Sequence, residues 1–97
     1  MIDSGDIFLA HLHGAQRQHV LVISTSRFHQ FAGRAVVAPC VPLAPLITEM
    51  PWRVVVDDRI FAVDLLRTVP TDRLLERVDR APAAAVLAAR RALRAIT

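Results

Sequence analysis

Lysine is absent from this 97-residue chain, cysteine occurs once, and no apolar stretch approaches the roughly 20 residues that a membrane-spanning helix requires. Each absence closes off a class of protein. The single Cys40, set in Ala38-Pro39-Cys40-Val41-Pro42, excludes an internal disulfide, suits a reducing compartment and reads as a small buried hydrophobe. The opening Met1-Ile2-Asp3-Ser4-Gly5-Asp6 lacks the basic start of a signal peptide, so a cytoplasmic protein with no membrane partner is expected. His11 and His13 are the only closely spaced histidine pair, with no Cys or Glu near them, so no metal ligand set or cofactor is expected.

The missing lysine makes the positive charge unusual in kind. All twelve basic residues are arginine, against nine acidic ones, for a net charge of +3 and a sequence pI near 11.0. Arginine forks suit phosphate and carboxylate, which points to RNA or an acidic peptide as partner; an Ala- and Arg-rich composition from a GC-rich genome gives the same numbers. Position has to decide between them.

Ninety-seven residues make one domain, 1–97, and a chain of this size buries only roughly 60 to 65 % of its unfolded surface. With 54 % hydrophobic residues, a homodimer is expected. Val-, Ile- and Leu-rich runs bounded by Gly, Pro or Asp predict strands over Ile7 to Leu12, Val20 to Ser24, Arg34 to Ala38, Arg53 to Asp57 and Ile60 to Val69. The stretch from His13 to His19 reads as the loop joining the first two. Asp57-Asp58-Arg59 reads as a tight hairpin turn, and the four prolines between residues 39 and 51 mark a loop without a strand of its own. One helical turn is expected at Thr71 to Leu74 and a last short strand at Leu74 to Asp79. After Pro82, residues Ala83 to Ile96 form an amphipathic helix with Val86, Ala89, Leu93 and Ile96 on one face. Its Arg90, Arg91 and Arg94 lie opposite, solvated and favourable at the helix C-terminus.

Five segments carry a resemblance: Gly5-Asp6-Ile7-Phe8, Val20-Leu21-Val22-Ile23-Ser24, Ala35-Val36-Val37-Ala38-Pro39-Cys40, Pro51-Trp52-Arg53-Val54-Val55-Val56 and Val63-Asp64-Leu65-Leu66-Arg67-Thr68-Val69. In order and spacing they resemble the MazF/PemK family of toxin endoribonucleases. The resemblance implies a mainly β protein, an SH3-like small β-barrel with a C-terminal α-helix. It also implies a type II toxin–antitoxin toxin: a dimer whose groove takes single-stranded RNA or the acidic tail of a cognate antitoxin. The implied activity is that of an mRNA interferase, in which the RNA 2′-hydroxyl attacks the adjacent phosphate without a metal.

Such cleavage needs a base, an acid and fixed donors for the charge growing on phosphorus. The family places an arginine just before the second strand; that position falls on Gln18 here, and Arg17, one residue earlier, is taken as the functional arginine on the reasoning that a loop absorbs the offset. Where the family commonly carries a Thr or Ser, this chain has Val41, with Thr48 the nearest hydroxyl able to replace it. Asp64 falls on a family Asp and joins Arg17 in the catalytic set, with an ion-pair role as the alternative. His13 and His19 are candidates for proton transfer because imidazole titrates near neutral pH. Gln16, Gln18, Arg27, Thr48 and Arg67 complete the set as RNA contacts, Arg27 with Phe28 or Phe31 in a mobile loop between the second and third strands. Two other functions stay open: a barrel that binds antitoxin but cleaves weakly or not at all, and a CcdB-like gyrase inhibitor, which the lack of a Trp near the C-terminus disfavours.

Overall fold

Among the described residues seven strands, most of them rich in β-branched and other apolar residues, pair antiparallel. The computed structural model describes residues 1–13, 16–42 and 50–97. Within them lie β1 (Asp6–His13), β2 (Gln16–Val22), α1 (Ser26–Ala32), β3 (Arg34–Val41), β4 (Arg53–Val56), β5 (Arg59–Ala62), β6 (Arg67–Pro70), β7 (Leu74–Arg80) and α2 (Ala83–Ile96). The sheet runs β4-β5-β3-β2-β1-β7, with β6 pairing β3 off this path. The mainly β architecture with a C-terminal helix is the one expected, but the sheet does not close into a hydrogen-bonded barrel among the described residues.

Alternation along the strands divides the core in two. Ile7, Leu21, Ala38, Val54, Phe61 and Val63 face α2, while Phe8, Ala10, Val20, Val22, Val37 and Val69 pack on the opposite face. The inward face of α2 runs through Ala85, Ala89 and Ala92, flanked by partly buried Val86 and Leu93, so small side chains let the helix sit close to the sheet. Ile96, expected on that face, is 41 % exposed. Gly5 ties the layers together. Its N–H donates to Val22 O at 2.8 Å, its carbonyl accepts from Ala81 N–H at 2.7 Å, and its φ is +93°.

Four expectations need correction. First, the β1–β2 connection is not a seven-residue loop, since Gln16 to His19 lie in β2 in register with β1: His11↔Arg17, Ala10↔Gln18 and Leu9↔His19. Second, residues 26–32 form helix α1. Thr25 Oγ1 accepts from Phe28 N–H at 3.4 Å and Gly33, at φ 65°, closes the C-terminus. Third, Ile60 to Val69 is two strands broken by a 3₁₀ turn at Val63–Leu65. Fourth, β3 extends through Pro39 to Val41, with Pro39 opposite Val20. The Asp57-Asp58 turn stands as expected, joining Val56 to Arg59 with Asp57 at φ 54°. Likewise the Thr71–Arg73 turn and the strand that follows it are present.

Candidate nucleic-acid interface

The sheet parity sorts the candidate residues. Along β2, Gln18 shares a face with Val20 and Val22, whereas Arg17 and His19 share the other with Leu21. On the Gln18 side an open cleft of about 460 Å³ is lined by Leu12, Gln18, Pro39, Asp64, Leu65, Leu66 and Arg67. Three candidates therefore converge there: Gln18 from β2, Asp64 from the 3₁₀ turn and Arg67 from the start of β6. Apolar Leu12, Pro39, Leu65 and Leu66 supply the walls, a mix suited to a planar ring bearing polar edges. Val41 ends β3 half-buried.

Asp64 does not stand alone. Arg53, the first residue of β4, places Nη2 3.2 Å from Oδ2 and Nε 3.1 Å from Oδ1; the second contact is ionic, without hydrogen-bond geometry. The Arg53 side chain is 13 % exposed and that of Asp64 28 %. The ion-pair alternative for Asp64 is thus realised, with Arg53 as partner. Sequence reasoning missed Arg53, although the β4–β5 hairpin carried a signal: it sets Arg53 opposite Ala62, two residues from Asp64.

Gln16, Arg17, His19 and Arg27 do not line this cleft. His19 sits on the opposite face within electrostatic reach of the hairpin turn; burial, then the Arg59 charge, push its pKa down while Asp58 opposes them. Arg17 and Gln16 are exposed. His13 ends β1, its backbone paired with Gln16 of β2. Arg27 is exposed on α1, and Thr48 lies outside the described residues. Cys40 is half-buried rather than buried as expected, and that burial raises its thiol pKa. Among the described residues no three His, Cys, Asp or Glu are grouped to hold a metal ion.

His29 has a structural task. Nδ1 lies 2.9 Å from the Ile2 carbonyl, which only accepts, so Nδ1 carries the proton and Nε2 accepts from the Ser24 hydroxyl at 2.6 Å. Ser24 Oγ in turn accepts from Val36 N–H at 2.8 Å. This relay pins the N-terminus and α1 to β3. A second cleft, of about 400 Å³, opens beside α2 and is lined in part by Asp3, Arg80 and Arg90; none of the described candidates lines it, and Arg80 is engaged by Asp6 at 3.2 Å.

Residues 3–97 match the PemK-like, MazF-like toxin family of type II toxin–antitoxin systems. The chain belongs to this family. Solved structures agree in fold. An endoribonuclease in complex with its cognate antitoxin, from a Mycobacterial species, superposes with a TM-score of 0.85 at 15 % identity, covering 98 % of this chain and 93 % of that one. A MazE–MazF complex from Deinococcus radiodurans gives 0.82 at 21 %, covering 98 % and 94 %. The Mycobacterium tuberculosis toxin MazF-mt6 gives 0.69 at 20 %, covering 91 % of each chain. Comparison with curated proteins returns no match. Among the described residues no helix is long and apolar enough to cross a membrane.

Proposed function

We propose that this PemK/MazF-like toxin is a metal-independent, sequence-selective endoribonuclease acting on single-stranded RNA in the cytoplasm as a homodimer. A cognate acidic antitoxin, competing for the same basic surface, neutralises it. The observation that carries the reading is the convergence of Gln18, Asp64 and Arg67, from three separate elements, on one cleft in a chain of this family. In this reading the Arg67 guanidinium contacts a phosphate, Gln18 hydrogen-bonds a base or phosphate oxygen, and the apolar walls receive a ring. Asp64, fixed by Arg53, shapes the turn between them.

Cleavage proceeds by attack of a 2′-hydroxyl on the adjacent phosphorus with loss of the 5′-oxygen. The proton leaving the hydroxyl and the proton reaching the 5′-oxygen fall to His13, Arg17 or His19 on the β1–β2 hairpin. Arg17 and His19 face away from this cleft, so proton transfer by either requires the scissile phosphate to lie past the cleft, at the edge of the β1–β2 hairpin. The mature test incubates purified protein with a long single-stranded RNA in EDTA and maps the ends. Cuts leaving 5′-hydroxyl termini, reduced about tenfold or more by Gln18→Ala or Arg67→Ala, support it. The second reading, an antitoxin-binding module with little activity, is favoured by Val41 at the position where the family commonly has a hydroxyl. Antitoxin binding with no cleavage under these conditions would select it.

A further inference from the structure

The outer face of α2 turns away from the sheet, and every charged residue of that helix is an arginine. Leu87, Arg90, Arg91 and Arg94 recur at the i, i+3, i+4, i+7 spacing that sets them on one stripe, and they line a trough of about 350 Å³. Leu87 and Arg90 also line the cleft of about 400 Å³ beside α2, with Val86, Ala83, Asp3 and Arg80. The shared side chains make the two depressions one continuous track. From Ala83 to Arg94 the helix rises about 16 Å, the length of about five residues of extended chain.

The track is basic with an apolar centre. Leu87 is 49 % exposed, beside half-buried Val86. Arg80, although 3.2 Å from Asp6, keeps 60 % of its side chain exposed. The acidic residue among the lining side chains, Asp3, is held by the Ser4 and Ser26 N–H groups at 2.8 and 3.3 Å. The positive excess does not depend on the residues outside the description, because 14–15 and 43–49 contain one charged residue, Glu49. Even with Asp3, Asp6 and Glu49 all set against it, Arg80 and the three α2 arginines leave the track positive.

We propose that this track is a docking site for an extended acidic segment of a partner protein, its carboxylates on Arg90, Arg91 and Arg94 and an apolar side chain against Leu87 and Val86. Arginine forks match carboxylates, and the aliphatic centre supplies a contact that a purely charged ligand would leave unused. A second copy of the same face brings no acidic residue to meet the arginines, since α2 contains none. Single-stranded RNA fits less well, because no Phe, Trp or His lines the track to stack a base. Position separates this site from the RNA cleft. α2 packs on the Leu21 side of the sheet, Gln18 lies on the Val20 side, and the two sites share no lining residue. Both can therefore be filled at once, and the docking site stands whether or not the protein binds RNA.

The test measures binding of a fluorescein-labelled octapeptide, aspartates and glutamates around one central leucine, to the full chain by fluorescence anisotropy at two salt concentrations. The triple variant Arg90→Gln, Arg91→Gln, Arg94→Gln is expected to weaken binding about tenfold or more and to flatten its salt dependence. Serine in place of the peptide's leucine should weaken it about 3- to 5-fold. Ala88→Glu, which sets a carboxylate beside Leu87 and one helical turn before Arg91, should weaken it about 3- to 10-fold. That glutamate supports the helix through its i, i+3 arginine, so its effect cannot come from a loosened fold and carries the test even if the triple variant is poorly folded. Gln18→Ala should leave peptide binding unchanged, and an excess of 2′-fluoro single-stranded RNA, which lacks the attacking hydroxyl, should not displace the peptide.

A parent protein that does not bind the peptide would overturn the proposal, as would unchanged binding in Ala88→Glu. Equal affinity for the leucine and serine peptides would reduce the site to diffuse charge attraction and overturn it too. Displacement of the peptide by the RNA would make the track a nucleic-acid surface instead.

Discussion

Replacing Gly5 with Ala should destabilise this domain more than any other single-methyl addition at its described glycines. Two independent effects act there. The backbone sits at φ +93°, and an ideal Cβ would lie 2.8 Å from Val86 Cγ2 on α2. A residue with a side chain held at such a φ is strained by about 1 to 3 kcal/mol, and forcing a methyl into a packed contact adds about 1 to 3 kcal/mol. The loss of backbone freedom in the unfolded chain offsets about 0.4 to 1 kcal/mol of this. The net expectation is about 1 to 5.5 kcal/mol, a large share of the roughly 5 to 15 kcal/mol that a domain of this size has. Thermal unfolding followed by circular dichroism should show Tm falling by at least about 4 °C and by up to about 40 °C. Gly33 provides the control: it has φ +65° but open space around its Cβ, so Gly33→Ala should cost about 1 kcal/mol and Gly33→Asn less. Adding Val86→Ala to Gly5→Ala should recover the steric part alone. Equal effects of the two Gly→Ala changes, or no coupling between positions 5 and 86, would refute the reasoning.

Asp6 is fully buried, 3.2 Å from Arg80 Nη1 and 3.9 Å from Arg77 Nη1, and its Oδ2 accepts from Asp3 N–H at 2.9 Å. Asp6→Ala should lower the unfolding free energy in urea by about 2 to 4 kcal/mol, and a change below about 0.5 kcal/mol would show that the arginines are as well off in water. His19 should make stability pH-dependent: burial and Arg59 depress its folded pKa, so folding favours the neutral ring. That stabilisation is complete above the unfolded value of about 6.5 and is lost as pH falls through the lowered folded value. Urea melts between pH 7.5 and 5 should therefore show a shallower decline in His19→Gln, and identical slopes would rule the linkage out. His29→Leu should release the N-terminus by breaking the relay from Ile2 through Ser24 to Val36, seen as faster amide exchange in α1 with β1–β2 unaffected.

Much of the fold was legible because β-branched runs such as Val20-Leu21-Val22 and Val54-Val55-Val56 have few alternatives to a buried strand. What escaped was local. Helix α1 has seven residues, too few for a helical period to show, and it depends on Thr25, Gly33 and the burial of His29. The run from Ile60 to Val69 is apolar enough to pass for one strand; only pairing with different parts of β3, Cys40 and Val41 for β5 and Arg34 to Val37 for β6, requires the turn at Val63–Leu65 that presents Asp64. The polar stretch from Gln16 to His19 looked like a loop because strand ends that project into solvent carry loop-like composition.

That last correction bears on the proposed site. In a loop, an offset of one residue is harmless, and Arg17 could stand in for a neighbour. In β2 it is not, because Arg17 pairs with His11 and Gln18 with Ala10, and consecutive strand residues face opposite ways. Gln18 is therefore the β2 residue that reaches the cleft with Asp64 and Arg67, while Arg17 projects from the other face. Parity makes the two substitutions separable within the proposed function. Gln18→Ala should weaken binding of the 2′-fluoro RNA, whereas Arg17→Ala should leave that binding nearly intact and affect cleavage only if the arginine moves a proton. Gln18→Arg should then strengthen RNA binding, since it returns an arginine to the position where the family places one and on the face that holds the cleft. Weaker binding by Gln18→Arg, with the fold intact by circular dichroism, would mean that the RNA follows the Arg17 face instead.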